Sequence, residues 1–214
     1  MKLVMYEDNI CTFTNALSKQ WCDEVIAIAD EKIGLAETTR DSDNCDIDGI
    51  MFRDCPKRID SSLNMDTFGS LSAYENQLLK VLEICWKKYG NSKTVDGINM
   101  FPRWKEIEKI SCKIQRTPPG GGFSVWHYEQ GSDKYTSRRF AVWILYLNDV
   151  NKGGKTDFPN QNISLTPRAG TLVIWPAAYT HPHRSGPELE EFKYIITGWF
   201  VYHVGKYPAE KSRT

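Results

Sequence analysis

No uninterrupted apolar stretch in this chain approaches the roughly 18 residues that a bilayer-crossing helix needs. The opening run Met1-Lys2-Leu3-Val4-Met5-Tyr6-Glu7 has no signal-peptide core. The expectation is a soluble, cytoplasmic protein without a membrane partner. An excess of either charge is missing too. Lysine plus arginine number 27, and aspartate plus glutamate 27, so no global field draws the chain to nucleic acid or an anionic surface. The six cysteines (Cys11, Cys22, Cys45, Cys55, Cys85, Cys112) never fall in CxxC spacing. Buried or incidental thiols in a reducing compartment fit better than a disulfide frame or a zinc site. Gly120-Gly121-Gly122 lacks the Lys-Ser/Thr of a phosphate loop. Internal repeats and low-complexity segments are absent.

What is present is enough for one sizeable domain at 214 residues. Residues 1–110 read as a supporting region of helices and strands, 111–204 as the core, and 205–214 as a tail. Leu17, Trp21, Val25 and Ile28 recur at helical spacing, predicting a helix over about 16–33 that stops at Gly34. Tyr74, Leu78, Leu82, Cys85 and Tyr89 predict a second over 71–89, with Ser72 and Glu75 as a capping box and Gly90 as its stop. Between them Glu37 to Pro56 is polar and acidic. A solvated connection is favoured there over a mobile lid. Asp46-Ile47-Asp48-Gly49 lacks the later glutamate of a calcium loop and is set aside.

From Lys109 onward short strands alternate with turn residues, the pattern of a sandwich or jelly roll. The predicted strands are 110–116, 123–129, 139–147, 171–175 and 193–204. Pro118-Pro119-Gly120, Gly153-Gly154 and Pro167-Arg168-Ala169-Gly170 punctuate them.

Within this region lies His127-Tyr128-Glu129, then His183 54 residues after Glu129, then Lys193 ten residues on. Ligands at i and i+2 of a strand point to one face, and a third from a distant strand completes a triangle. Two histidines and a carboxylate leave three coordination positions open, the arrangement of non-haem Fe(II) oxygenases. Alone, His-x-Glu is weak evidence. Its neighbours strengthen it: Tyr146-Leu147-Asn148, Gly153-Gly154-Lys155-Thr156-Asp157-Phe158, His181-Pro182-His183, and Lys193 to Trp199.

In that order and spacing, residues from about Ile114 to Tyr202 resemble the core of 2-oxoglutarate- and Fe(II)-dependent dioxygenases of the prolyl 4-hydroxylase-like branch. The resemblance implies a double-stranded β-helix (jelly roll), so the fold class is mainly β with flanking helices (α+β). It implies His127, Glu129 and His183 as iron ligands. His183 is preferred to His181 by the ten-residue interval to the lysine, and His203 looks structural. Lys193, Tyr146, Thr156 and Trp199 would hold 2-oxoglutarate. Lys193, Ile195, Thr197 and Trp199 share a strand face by alternation. Arg139 aligns with an arginine that contacts peptide; seven residues from Tyr146 it would face the opposite way on a regular strand, so either a bulge intervenes or it reaches in from the rim. Trp126, with Trp143, would form an aromatic wall at the mouth; core packing is equally open for each.

Two departures stand out. Glutamate occupies a position usually held by aspartate, moving the carboxylate by one methylene. Thr117 or Gln115 stands where the family often places a co-substrate-binding tyrosine. The implied chemistry is hydroxylation of an unactivated C–H bond with decarboxylation of 2-oxoglutarate to succinate, using Fe(II) and O2, with ascorbate as a candidate reductant. The expected substrate is a prolyl residue in a peptide or protein. The alternatives are a free amino acid or other small molecule, or a non-catalytic metal-binding module; the residues leave the oligomeric state open.

Overall fold

Both helical stripes fold as helices, and each runs past the glycine expected to end it. The computed structural model describes residues 1–5, 7–38, 42–91, 94–95, 98–99, 101–186 and 188–203. The expected tail 205–214, the last residue of the expected strand 193–204, and Asp41 lie outside the described residues. In chain order the elements are β1 (Lys2–Met5), β2 (Cys11–Thr14), α1 (Lys19–Glu37), β3 (Cys45–Ile47), β4 (Ile50–Cys55), β5 (Arg58–Asn64) and α2 (Ser72–Asn91). The short β6 (Thr94–Val95) and β7 (Ile98–Asn99) precede β8 (Ile107–Thr117), β9 (Gly122–Phe123) and β10 (Arg139–Tyr146). Then follow β11 (Thr156–Phe158), β12 (Ile163–Leu165), β13 (Thr171–Pro176), β14 (Arg184–Ser185) and β15 (Lys193–Tyr202).

Ser18 caps α1, its hydroxyl accepting the Trp21 N–H at 3.1 Å. Gly34 lies inside α1 and Gly90 inside α2. A mid-helix glycine costs about 1 kcal/mol. Burial of Ile33 and Ala36 in one helix and of Tyr89 in the other keeps the stripes continuous across the glycines. Ser72 has helical dihedrals and follows a 3-10 turn at Gly69–Leu71, so it is not the N-cap of a Ser72–Glu75 box.

The acidic segment is not a plain connection either. β3 and β4 form a hairpin in which Ile47 pairs with Ile50 across Asp48-Gly49. Both turn residues have positive φ, 50° and 82°, the Asp-Gly chemistry of a two-residue hairpin.

A long antiparallel sheet runs β1-β2-β13-β10-β15-β8-β5-β4-β3, and a smaller one runs β12-β11-β14. The supporting region thus contributes strands to the sheet that carries the core as well as the two helices. Alternation sorts side chains to the two faces of the long sheet. Trp143, Leu145, Leu172, Ile174, Ile196 and Phe200 join a core with α1 and α2. Val142, Tyr146, Val173, Trp175 and Ile195 face inward, with Phe158 and Leu165 of the small sheet. Burial on both faces explains the nearly unbroken apolar runs of β10, β13 and β15.

Gly198 sits where the β15–β8 register shifts. A Cβ there would lie 2.0 Å from the Ser111 carbonyl oxygen and 2.5 Å from the Trp143 ring. Gly198→Ala should cost about 2–4 kcal/mol, comparable to other overpacked cores. Urea unfolding would show it, and an unchanged midpoint would mean the bulge relaxes freely.

Candidate active site

The strand expected over 123–129 is only β9 followed by extended chain. His127 meets His183 through an isolated antiparallel bridge. His127 N–H donates to the His183 carbonyl at 3.1 Å, and His183 N–H returns the bond at 2.9 Å. Glu129 N–H is held by the Ala177 carbonyl at 3.1 Å. These bonds do locally what a longer strand was expected to do: one donor atom each from His127, Glu129 and His183 lies within 4.8 Å of the others.

Each imidazole is oriented from behind. Nδ1 of His127 is 2.8 Å from the Val125 carbonyl oxygen, and Nδ1 of His183 is 3.1 Å from that of His181. With Nδ1 donating, each Nε2 presents a lone pair to the cleft. Those Nε2 atoms stand 3.5 Å and 3.8 Å from Glu129 Oε1. Around a six-coordinate ion with bonds of about 2.1 Å, neighbouring donors sit roughly 3 Å apart, so small side-chain shifts close the set. Burial, reinforced by the positive field of His127, pushes His183 down to about 4. It is neutral at physiological pH, the form a metal requires.

Burial works against ionising Glu129, but the hydrogen bond with His127 and the surrounding positive groups, Arg139 included, outweigh it and hold the carboxyl at about 2. Oε2 accepts from Arg139 at 2.9 Å and from the Trp199 indole N–H at 3.0 Å. The Arg139 guanidinium also lies 3.9 Å over the Trp199 ring. Two imidazole nitrogens with one clamped carboxylate suit Fe(II).

Below the triad, on the inner face of β15, Lys193 is 4% exposed. Its Nζ donates to the Gly154 carbonyl at 2.6 Å and lies 5.8 Å over the Tyr146 ring. Gly153 and Gly154 both have positive φ, 70° and 59°, which presents that carbonyl to the lysine. Burial pushes the ammonium down to about 8, countered only in part by Asp157. Tyr146 Oη and Thr156 Oγ1 are 2.7 Å apart.

A cleft of about 430 Å³ joins these groups. His127, Glu129, His183, Arg139, Thr156, Lys193 and Trp199 line it, as do both Thr117 and Gln115. Tyr146 lies under its floor, fully buried. The bulge needed to turn Arg139 inward is present, between Arg139 and Ala141; the arginine is spent on Glu129 and Trp199 as well as facing the cleft. Trp143 is a correction: fully buried among the helices, it forms no wall at the mouth. Trp126 is 43% exposed and stacks 4.2 Å from Arg184, a residue of the cleft lining. His181 turns away, its Nε2 bonded to the Asp8 carbonyl, and His203 pairs with Glu108 at the surface.

Sequence reasoning missed Arg58, Asp60, Lys113, Trp175 and Arg184 in the lining. Lys113 alternates with Gln115 and Thr117 on β8, so period-two reading could have found it. Arg58 and Asp60 come from β5, a strand that the sequence did not announce.

Comparison with known proteins agrees with this geometry. Residues 112–201 match the family model of the 2OG-Fe(II) oxygenase superfamily. Prolyl 4-hydroxylase subunit alpha-1 of Gallus gallus is 35% identical over 71 residues, 30% of this chain and 14% of that protein. Probable prolyl 4-hydroxylase 3 of Arabidopsis thaliana is 30% identical over 145 residues, 48% of this chain and 50% of its own length. The chain therefore spans half or less of these curated relatives. In fold it is similar to a Trichoplax adhaerens prolyl hydroxylase solved with a hypoxia inducible factor peptide fragment. There the TM-score is 0.61 at 18% identity, covering 92% of this chain and 84% of that one. Residues 112–201 thus match the 2OG-Fe(II) oxygenase superfamily, and the chain, with its jelly-roll core and His-Glu-His cluster, is similar to prolyl 4-hydroxylases.

Proposed function

We propose that the protein is a 2-oxoglutarate- and Fe(II)-dependent dioxygenase that hydroxylates an unactivated C–H bond of a prolyl residue in a peptide or protein. One observation carries the reading: a single cleft holds the His127–Glu129–His183 face and, deeper, the buried cation Lys193. In balance, the C–H substrate, O2 and 2-oxoglutarate become alcohol, succinate and CO2. Bound iron supplies the oxygen activation that no side chain here can.

The chain's own groups supply the rest. His127 and His183 offer imidazole nitrogens, and Arg139 with Trp199 fixes the Glu129 carboxylate. Lys193 takes the distal carboxylate of the co-substrate, and Thr156 adds a hydroxyl held by Tyr146. Ile144, Ile195 and Trp175 line the cleft with apolar surface that keeps bulk water from the reacting carbon. Arg139 is the inward-facing contact for peptide, while Trp126 and Arg184 would meet it at the outer rim.

The reading predicts a weak visible charge-transfer band when Fe(II) and 2-oxoglutarate are added anaerobically. It also predicts succinate release stimulated by proline-containing peptides, sustained by ascorbate. No band, with iron binding indifferent to His183→Ala, would overturn it.

A pH dependence follows from Lys193. Its proton is held below about 8 and lost above, so KM for 2-oxoglutarate should rise roughly tenfold per pH unit on the alkaline side. A profile flat well into that range would mean another group takes the carboxylate.

A further inference from the structure

The cleft is far more positive than the chain that builds it. The whole sequence balances 27 basic against 27 acidic residues. Five cations nevertheless line the cleft, Arg58, Lys113, Arg139, Arg184 and Lys193, against two carboxylates, Asp60 and Glu129. The cofactors of the proposed reaction do not absorb the excess. Iron's two positive charges, Glu129, the two carboxylates of 2-oxoglutarate and Lys193 together come to zero.

The remaining cations differ in how far they are matched. Arg139 pairs with Glu129 at 2.9 Å. Arg184 has Asp157 behind it at 3.8 Å. Asp60 is shared between Arg58, bonded through Nε, and Arg53 at 3.4 Å. Lys113 has no carboxylate in contact. Its Nζ lies 5.9 Å over the Trp199 ring, and among the described residues it has no hydrogen-bond acceptor. Burial first, and then repulsion from Arg58, lowers its ammonium to about 8, the fields of Asp60 and Glu129 countering only part of that cost.

Lys113 is also well separated from the co-substrate end. Along β8 and β15, Lys193 pairs with Thr117 and Lys113 with Thr197. Four residues of strand place the two lysines roughly 13 Å apart. Lys113 stands beside Trp199, whose indole N–H holds the metal-facing carboxylate of Glu129. A group bonded to Lys113 would therefore belong to the molecule presented to the iron.

We propose that Lys113 forms a subsite for a carboxylate on the substrate, so that the hydroxylated residue lies next to an acidic group. This rests on the oxygenase reading above and narrows its substrate class. The carboxylate has two sources, an Asp or Glu side chain in a peptide or the main-chain carboxylate of a C-terminal residue or free amino acid.

The test loads the protein with Fe(II) and 2-oxoglutarate and confirms the charge-transfer band, so that failure of the oxygenase reading is seen separately. A proline-containing peptide library with randomised flanking positions, in free-acid and C-terminally amidated forms and alongside free proline, is then scored for added oxygen. The expected result is enrichment of Asp or Glu beside the modified residue, or dependence on a free C-terminal carboxylate. For the selected substrate, KM should be at least tenfold below that of its amide counterpart. Lys113→Gln should remove that preference and leave KM for 2-oxoglutarate unchanged; Lys113→Arg should retain it. Equal use of acid and amide substrates overturns the proposal, as does a preference surviving in Lys113→Gln. A change confined to KM for 2-oxoglutarate would make Lys113 a co-substrate group instead, also overturning it. Silence of the whole library with the band intact does the same.

Discussion

Replacing Lys193 with methionine is expected to destroy 2-oxoglutarate binding while making the protein more stable. The ammonium is 4% exposed and bonded to one backbone carbonyl, so the free protein carries a buried charge without a matched anion. Burial holds it at about 8 in the folded chain, below the ordinary lysine value of 10.5. The sign follows directly. Folding disfavours the charged form, so the destabilisation is fully present below about 8 and fades as pH rises toward the unfolded value. That shift corresponds to roughly 3 kcal/mol. Methionine leaves the Gly154 carbonyl without its donor, at about 1–2 kcal/mol, so a net gain of about 1–2 kcal/mol remains at neutral pH.

In the same variant the co-substrate loses its charge-assisted partner. Removing one member of a buried hydrogen-bonded charge pair costs on the order of 3–5 kcal/mol, a loss in affinity of a hundredfold or more. Thermal unfolding without ligand and titration with 2-oxoglutarate read the two halves separately. A variant that binds 2-oxoglutarate normally would remove Lys193 from the site. One that melts lower would mean the lysine is structurally required.

The second large effect is loss of iron in His183→Ala and Glu129→Ala. Each change removes one of three donors that the backbone has already brought within 4.8 Å. Activity should fall by at least about a thousandfold, because no protein group replaces the metal's chemistry. The charge-transfer band should vanish with it. Glu129→Asp is the subtler probe. Glu129 spans from the imidazoles at Oε1 to Arg139 and Trp199 at Oε2, and aspartate is one methylene too short to hold both ends. Support of this kind is worth about 10–100-fold in metal affinity, and Glu129→Asp should lose within that range. Wild-type iron affinity in Glu129→Asp would mean the backbone shifts to compensate.

Much of the site was legible because its signals are local. Residues 193 to 199 carry alternation on one strand, and all four of Lys193, Ile195, Thr197 and Trp199 line the cleft. The interval from His183 to Lys193 picked the ligand from His181-Pro182-His183, and the structure turns His181 toward Asp8. The reading failed where pairing partners lie far away in sequence. β5 was invisible because Arg58 to Asn64 is polar and short of apolar alternation, yet it pairs with β8 and delivers Asp60 to the cleft. The helix stops at Gly34 and Gly90 failed because packing against the long sheet outweighs a local preference of about 1 kcal/mol. Trp126 and Trp143 could not be placed by type alone, since a tryptophan serves a core or a rim equally well.

The sequence by itself therefore singled out His127, Glu129, His183 and Lys193, which the fold brings to one cleft, because residue chemistry and strand periodicity are properties of short segments. Strands punctuated by Gly and Pro narrowed the core to a sandwich or jelly roll, and the family resemblance implied the jelly roll. Only the tertiary structure decided how the parts meet. A two-bond bridge between His127 and His183 replaces the expected strand, and a bulge at Arg139 turns its guanidinium onto Glu129. Pairing of β5 with β8 sets Asn64 opposite Lys113 and brings Arg58 and Asp60 into the lining of the same cleft. Those outcomes depend on backbone hydrogen bonds between segments tens of residues apart, and no local pattern in the chain encodes their register.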